Sequence, residues 1–340
     1  MLILLCSLWG GRYKMIIETK NLTKMYRRFE KEIGFKGSVK SLFKRKYTQK
    51  IAVDDFNLSI QEGEFVGLIG PNGAGKTTLV KMLTGIIAPT AGDISVLGYY
   101  PNKLEDCFKR QYAVVMGQKS QLFFELTAAD TFQLFKELYG ISDVEYQKNL
   151  NYFIQLFDVS QFLNVQVRTL SLGERMKMEL IVALLHNPKV LFLDEPTIGL
   201  DAVAQKQIRR FLREVNETKG TTIILTSHYM EDIKSLCKRC VVVNNGEKLY
   251  DGGTDELFKK YQTNKKITVS FTQEMHMTLP NDCVVLEQDA DKVSFMIPKE
   301  RSEVVLRELM GKYELKDITV EEDDIGSVVE RIYNDRQVVN

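Results

Sequence analysis

Nine residues limit what this chain can become: Gly70-Pro71-Asn72-Gly73-Ala74-Gly75-Lys76-Thr77-Thr78. They fit the pattern G-x-x-x-x-G-K-[ST]. Before them runs Glu64-Phe65-Val66-Gly67-Leu68-Ile69, an apolar run suited to a buried strand. After them Leu79, Val80, Met82 and Leu83 recur at helical spacing. Strand, glycine-rich turn and helix therefore follow one another. Gly70, Gly73 and Gly75 let the backbone curl without a Cβ clash, so that successive N–H groups point inward at an anion. The helix adds the positive end of its dipole. Lys76 is placed to reach β- and γ-phosphates, and the Thr77 hydroxyl to ligate Mg²⁺. The stretch is a P-loop, and it implies a bound nucleoside triphosphate.

At 340 residues there is room for two domains of about 150 residues each. A net charge of +1 gives no global field favouring nucleic acid. No uncharged apolar run approaches the roughly 18 residues of a membrane span, so action at a membrane requires a partner. Five scattered cysteines suit a reducing compartment. Cys237 and Cys240 form a lone C-x-x-C, and with no second pair to complete zinc's four ligands they read as two small packed residues.

Residues 1–14 lack the charged start and cleavage site of a signal peptide. Met15 opens the strand-like Ile16-Ile17-Glu18-Thr19, so translation is expected to begin there, with 1–14 disordered or adventitious. Residues 27–50 are strongly basic, and Ser38, Val39, Leu42 and Phe43 suggest a short amphipathic helix inside a surface insertion. Such a patch is either merely solvated or touches anionic headgroups or a membrane partner. Phe56, Leu58 and Ile60 alternate as a strand does. From about Ala128 to Phe162 apolar residues recur at helical spacing, which reads as a helical subdomain. Leu170-Ser171-Leu172-Gly173-Glu174-Arg175 opens a further helix. Val190 to Leu193 is an apolar strand closed by Asp194-Glu195, and Thr222 to Ser227 is another, followed by His228.

With these segments in order, the chain resembles the ATP-binding-cassette (ABC) ATPases over roughly residues 15–260, specifically the nucleotide-binding subunit of a transporter. GPNGAGKTT is the P-loop, Gln118 centres the glutamine loop, LSLGE is the signature, LFLDEP the Walker B segment, Asp201 lies in the D-loop and His228 is the switch histidine. The resemblance implies an α/β P-loop NTPase fold with a helical subdomain at about 119–185 and an antiparallel β subdomain. Asp194, at a strand end, would hold the Mg²⁺ shell beside Thr77. Glu195 would orient the attacking water. By resemblance alone, His228 meets the γ-phosphate and Gln118 serves Mg²⁺ and domain coupling. Tyr26 fits the position of the adenine-stacking aromatic, with Tyr47 as the alternative. Cofactor contacts are expected from the whole run Gly70 to Thr78, and from Ser171, Gly173 and Asp201 across a head-to-tail homo- or heterodimer.

Two positions depart from the family pattern. Leu172 replaces a usual glycine and narrows the backbone choices there, and Glu174 replaces glutamine and brings a negative charge near a phosphate. His186 and His276 read as surface or core residues. Val241 to Leu249 reads as a hairpin turning at Asn245-Gly246. Strand-like runs at 267–271, 284–286, 293–297 and 315–320, a helix from Ser302 to Met310 and a final helix from Ile325 to Tyr333 make a small α+β appendix. The expected division is 1–14, an ATPase domain at 15–262 and an accessory domain at 263–340.

The expected function is ATP hydrolysis driving a separate transmembrane permease, most resembling prokaryotic exporters at the cytoplasmic face of the membrane. Two alternatives stand beside it: a soluble cassette ATPase that remodels ribosomes or nucleic acid, and a non-hydrolysing ATP sensor.

Overall fold

The apolar runs become inner strands, and the segments between them become the helices that cover them. The computed structural model describes residues 14–30, 46–117, 119–227, 229–261, 263–272, 279–280 and 282–322. By internal contacts the chain forms two compact units, Met1–Asp251 and Gly252–Asn340. Residues 1–13, the helix expected near 38–43, Gln118, His228, His276 and the helix expected from Ile325 to Tyr333 lie outside the described residues.

In the first unit, Met15–Glu30 (β1) and Lys46–Gln61 (β2) pair antiparallel along their whole length, from Met15 opposite Gln61 to Glu30 opposite Lys46. The basic stretch is therefore strand at both ends, which the sequence did not suggest, while Arg27 and residues 47–50 stay exposed. Tyr26, Phe29, Tyr47 and Thr48 are residue types that favour strands, and cross-strand pairing extends them. Phe65–Ile69 (β3) follows, buried at every position. Lys76–Leu83 (α1) then leads to Ala91–Val96 (β4), which pairs with β1 and completes a three-stranded antiparallel sheet in the order β2-β1-β4.

Asp106–Lys109 (α2) precedes Tyr112–Met116 (β5). The helical subdomain follows as Ala128–Tyr139 (α3), Asp143–Phe157 (α4) and Leu172–Leu184 (α5). Val190–Asp194 (β6), Ala202–Lys219 (α6), Thr222–Thr226 (β7), Met230–Leu236 (α7) and Arg239–Asn244 (β8) alternate strand with helix, and Glu247–Gly253 (β9) closes a hairpin. The sheet order is β5-β6-β7-β3-β8-β9, with β5 to β8 parallel. Burial on both faces explains why β3, β6, β7 and β8 read as apolar runs. One core joins the two sheets: Ile17, Leu22 and Phe56 of the antiparallel sheet pack with Leu68, Leu79 and Phe192. On α6, Ile208, Phe211, Leu212 and Val215 form the buried stripe, and Phe211 stacks on Phe157 of α4 with centroids 3.7 Å apart. Cys237 and Cys240 are both buried.

The second unit begins with Thr254–Tyr261 (α8). Asn264–Phe271 (β10), Val284–Gln288 (β11), Lys292–Pro298 (β12) and Leu315–Glu322 (β13) form an antiparallel sheet ordered β11-β12-β10-β13. Ser302–Lys312 (α9) covers one face, where Val305 and Leu309 join Ile267, Val269, Phe271, Phe295 and Ile297.

Candidate active site

From the end of β3 the chain turns through residues 70–75 into α1, whose first residue is Lys76. The β8–β9 turn backs this loop. Gly246 donates its N–H to the Ala74 carbonyl at 2.8 Å and accepts from Asp54 N–H at 2.9 Å. Asn245 and Gly246 both have positive φ, as a type I′ hairpin turn requires. Gly75 has φ +112, and a Cβ there would lie 2.3 Å from the Ala52 carbonyl oxygen. A side chain at this point is excluded twice over, by conformation and by space.

Lys76 is 5% exposed, and its ammonium donates to the carbonyls of Gly70 at 2.7 Å and Pro71 at 3.2 Å. Burial lowers its pKa, against the pull of Glu195 and Asp194. Thr77 Oγ1 donates to Asp194 Oδ2 at 2.9 Å. Asp194 is the last residue of β6, and Thr226, opposite it on β7, donates its hydroxyl to Oδ1 at 2.6 Å. The Thr77 hydroxyl and the Asp194 carboxylate form a hard oxygen pair of the kind Mg²⁺ prefers. The donor set fits the metal.

Glu195 comes next, with φ +58, an uncommon conformation for a non-glycine residue. Its N–H is shared between the Thr226 carbonyl at 3.0 Å and Thr226 Oγ1 at 3.1 Å. Burial raises its pKa; Lys76 opposes the rise, while Asp194 and Asp232 add to it. A carboxylate shifted in this direction is better suited to accept a proton from water.

An open pocket of about 230 Å³ lies over the P-loop, lined by Tyr26, Lys50, Asn72, Lys76, Thr77 and Glu195 with the neighbouring P-loop residues. Gly73, Ala74, Gly75 and Thr78 also line it, so the structure gathers Tyr26 and most of the P-loop at one place. Tyr47 sits opposite Phe29, three residues further along the hairpin than the Tyr26–Lys50 pair. Lys50, Ala52 and Thr226 escaped the sequence reading. Lys50 and Ala52 arrive through the register of the β1–β2 hairpin, and Thr226 through the neighbouring strand. The hint for Thr226 was its place as a polar residue at the C-terminal end of an apolar strand, as Asp194 is on β6.

Ser171, Gly173 and Asp201 do not line this pocket. Ser171 is exposed and caps α5; Asp201 caps α6, accepting from Val203 and Ala204 N–H groups at 2.9 Å. The two caps adjoin, since a Cβ on Gly173 would lie 3.0 Å from Ala204 Cβ. The departures in the signature have a local explanation. Leu172 is the first residue of α5 and carries no positive φ, so the narrower backbone choices of leucine include the conformation found here. Glu174 accepts the Ser171 N–H at 2.8 Å while Ser171 Oγ accepts the Glu174 N–H at 3.3 Å. That is a complete capping box. Half-buried His186 stacks on Tyr139 and reaches the Tyr112 carbonyl at 3.2 Å, a packing role away from the pocket.

The model of the ABC transporter family matches residues 53–198. The chain is 33% identical over 208 residues to the ABC transporter ATP-binding protein NatA of Bacillus subtilis, covering 61% of this chain and 84% of NatA. It is 35% identical over 216 residues to the Nod factor export ATP-binding protein I of Burkholderia thailandensis, covering 63% and 70%. A dimeric ATP-binding cassette solved in a post-hydrolysis state with ADP and Pi superposes with a TM-score of 0.58 at 25% identity, covering 70% of this chain and 98% of that one. The chain belongs to the ABC transporter ATP-binding proteins. It is thus an ATP-binding and ATP-hydrolysing transporter subunit, and the ribosome- or nucleic-acid-remodelling alternative finds no support among these relatives. Subunits of this family pair with a second cassette and act with membrane permeases. Among the described residues no helix is long and apolar enough to cross a membrane.

Proposed function

We propose that this chain is the ATPase of an exporter, working as a head-to-tail homo- or heterodimer at the cytoplasmic face of a prokaryotic membrane. One observation carries the reading. The P-loop and Glu195 line one pocket, with Asp194 bonded to Thr77 at its edge, whereas the exposed caps Ser171 and Asp201, and Gly173 in the first turn behind Ser171, stand outside it. A second chain in head-to-tail contact brings the missing wall.

In this reading Tyr26 stacks on the adenine, backbone N–H groups of the P-loop after Pro71 and the Lys76 ammonium hold the phosphates, and Thr77 and Asp194, with Gln118, hold Mg²⁺. The metal, when bound, neutralises phosphate charge. Glu195 takes the proton of the attacking water, and His228 meets the γ-phosphate. Phe123, Phe124 and Leu126, all exposed just beyond position 118, offer an apolar contact for the permease. The export direction rests on relatives such as the Nod factor export protein. We assign the ATPase to residues 15–262 and an accessory role, dimer support or regulation, to residues 263–340.

A pull-down of the tagged chain from detergent-solubilised native membranes tests the reading. Recovery of a multi-span membrane protein supports it; recovery of no membrane protein sinks it. The pH profile adds an independent check. With its pKa raised, Glu195 loses its charge earlier as pH falls, so the acid limb of turnover is expected above the ordinary glutamate range of about 4.3. Glu195→Gln should abolish turnover and leave nucleotide binding intact.

A further inference from the structure

A left-handed glutamate persists only where its surroundings over-determine it. One anchor of Glu195 is Thr226, already described. The second lies two residues further on. Thr197, 2% exposed, donates its hydroxyl to Asp232 Oδ2 at 2.5 Å. The same oxygen accepts the Ser227 hydroxyl at 2.7 Å, and Oδ1 accepts Arg209 Nη1 at 3.0 Å. Asp232 is fully buried in the first turn of α7. Arg209 also reaches Glu231, through Nη2 at 3.0 Å.

One buried carboxylate therefore joins three segments: the loop after Glu195, the end of β7, and α6, the helix capped by Asp201. Stability alone is a weak reason for such an arrangement, because apolar residues of similar volume often serve as well as a buried ion pair. What the carboxylate adds is direction. A hydroxyl bonded to it at this distance has little freedom, and Thr197 is separated from Glu195 by a single proline. Neither Thr197 nor Asp232 lines the nucleotide pocket, so any effect on turnover must pass through what they hold.

We propose that Asp232, with Arg209 as counter-charge, is the positioning residue for Glu195, acting through the Thr197 hydroxyl and tying the Glu195 loop to the Asp201 helix. The inference rests on the reading of Glu195 as the group that activates water.

The test uses the purified full chain with Thr197→Val, which removes the hydroxyl and keeps the volume, and Thr197→Ser, which keeps the hydroxyl. For each, kcat, KM, affinity for a non-hydrolysed ATP analogue and Tm are measured. Thr197→Val should lower kcat on the order of 10- to 100-fold, with KM and analogue affinity within about twofold. Thr197→Ser should restore most of kcat, and Asp232→Asn should lose at least as much as the valine variant. Added to Glu195→Gln, the valine substitution should cost nothing more, as expected of residues acting as a unit.

Wild-type kcat in Thr197→Val overturns the proposal. So does a serine variant as impaired as the valine one, since that points to packing. If Glu195→Gln itself turns over normally, the reading of Glu195 fails and the positioning role falls with it. Should Asp232→Asn not fold, the threonine pair decides alone.

Discussion

Two helices of the first unit begin in opposite ways. α1 starts behind Gly75 with no side-chain cap and no acidic residue in its first turn. α5 starts with a reciprocal Ser171–Glu174 cap. A helix N-terminus leaves four N–H groups without intrahelical partners. At α1 no side chain of the helix start competes for them, so a phosphate is the natural acceptor. At α5 two backbone N–H groups, those of Ser171 and Glu174, are already satisfied within the chain. The first is an anion site that waits for its ligand; the second is complete in itself and must yield something to engage a phosphate.

The largest effects belong to the uncapped side. Lys76→Ala removes the only buried cation among the pocket-lining residues and should reduce turnover on the order of 10²- to 10³-fold, with nucleotide affinity by calorimetry falling in parallel. Turnover within a few-fold of wild type would break the contrast between the two helix starts at its stronger end. Gly75→Ala comes next. With φ +112 and the Ala52 oxygen 2.3 Å from the new Cβ, it should destabilise the first unit by more than about 1–3 kcal/mol in denaturant unfolding. An unchanged midpoint would mean that the turn relaxes where the geometry says it cannot.

The same contrast explains what was legible in the sequence. The P-loop was readable because its chemistry is local: glycines, a lysine and a threonine act within nine residues, between an apolar run and a helical one. The inner parallel strands were readable because burial on both faces leaves apolar runs. Thr226, Lys50 and Asp232 were not, because they reach their places through sheet order, hairpin register and helix packing respectively, with partners tens of residues away. The strand at the ends of the basic stretch went unread for the same reason, since charge masked a pairing that only the partner strand reveals. The signature was a different case. Ser171-x-x-Glu174 spells a capping box, yet compared with the family pattern the glutamate reads only as a departure.

On the capped side Ser171→Ala should cost about 1 kcal/mol of stability, the usual worth of an N-cap, measured by urea unfolding. It should also weaken ATP-dependent dimerisation, read by size-exclusion chromatography in the Glu195→Gln background. Loss of stability with unimpaired dimerisation would make Ser171 a cap and nothing more.

The smallest effect, and the most discriminating, is expected from Glu174→Gln. Glutamine can still accept the Ser171 N–H, so the cap survives while its charge is lost. A negative charge in the first turn favours the helix dipole by about 0.3–1 kcal/mol, and that much stability should disappear. The same charge repels an incoming phosphate, so the ATP concentration for half-maximal turnover should fall a few-fold at low salt. Glu174 is only half-buried, and both changes should shrink in about 1 M salt, where charges are screened beyond roughly 3 Å. A change that survives high salt would trace to the geometry of the cap and not to its charge. The capped helix would then be tuned by shape, and only the uncapped one by electrostatics.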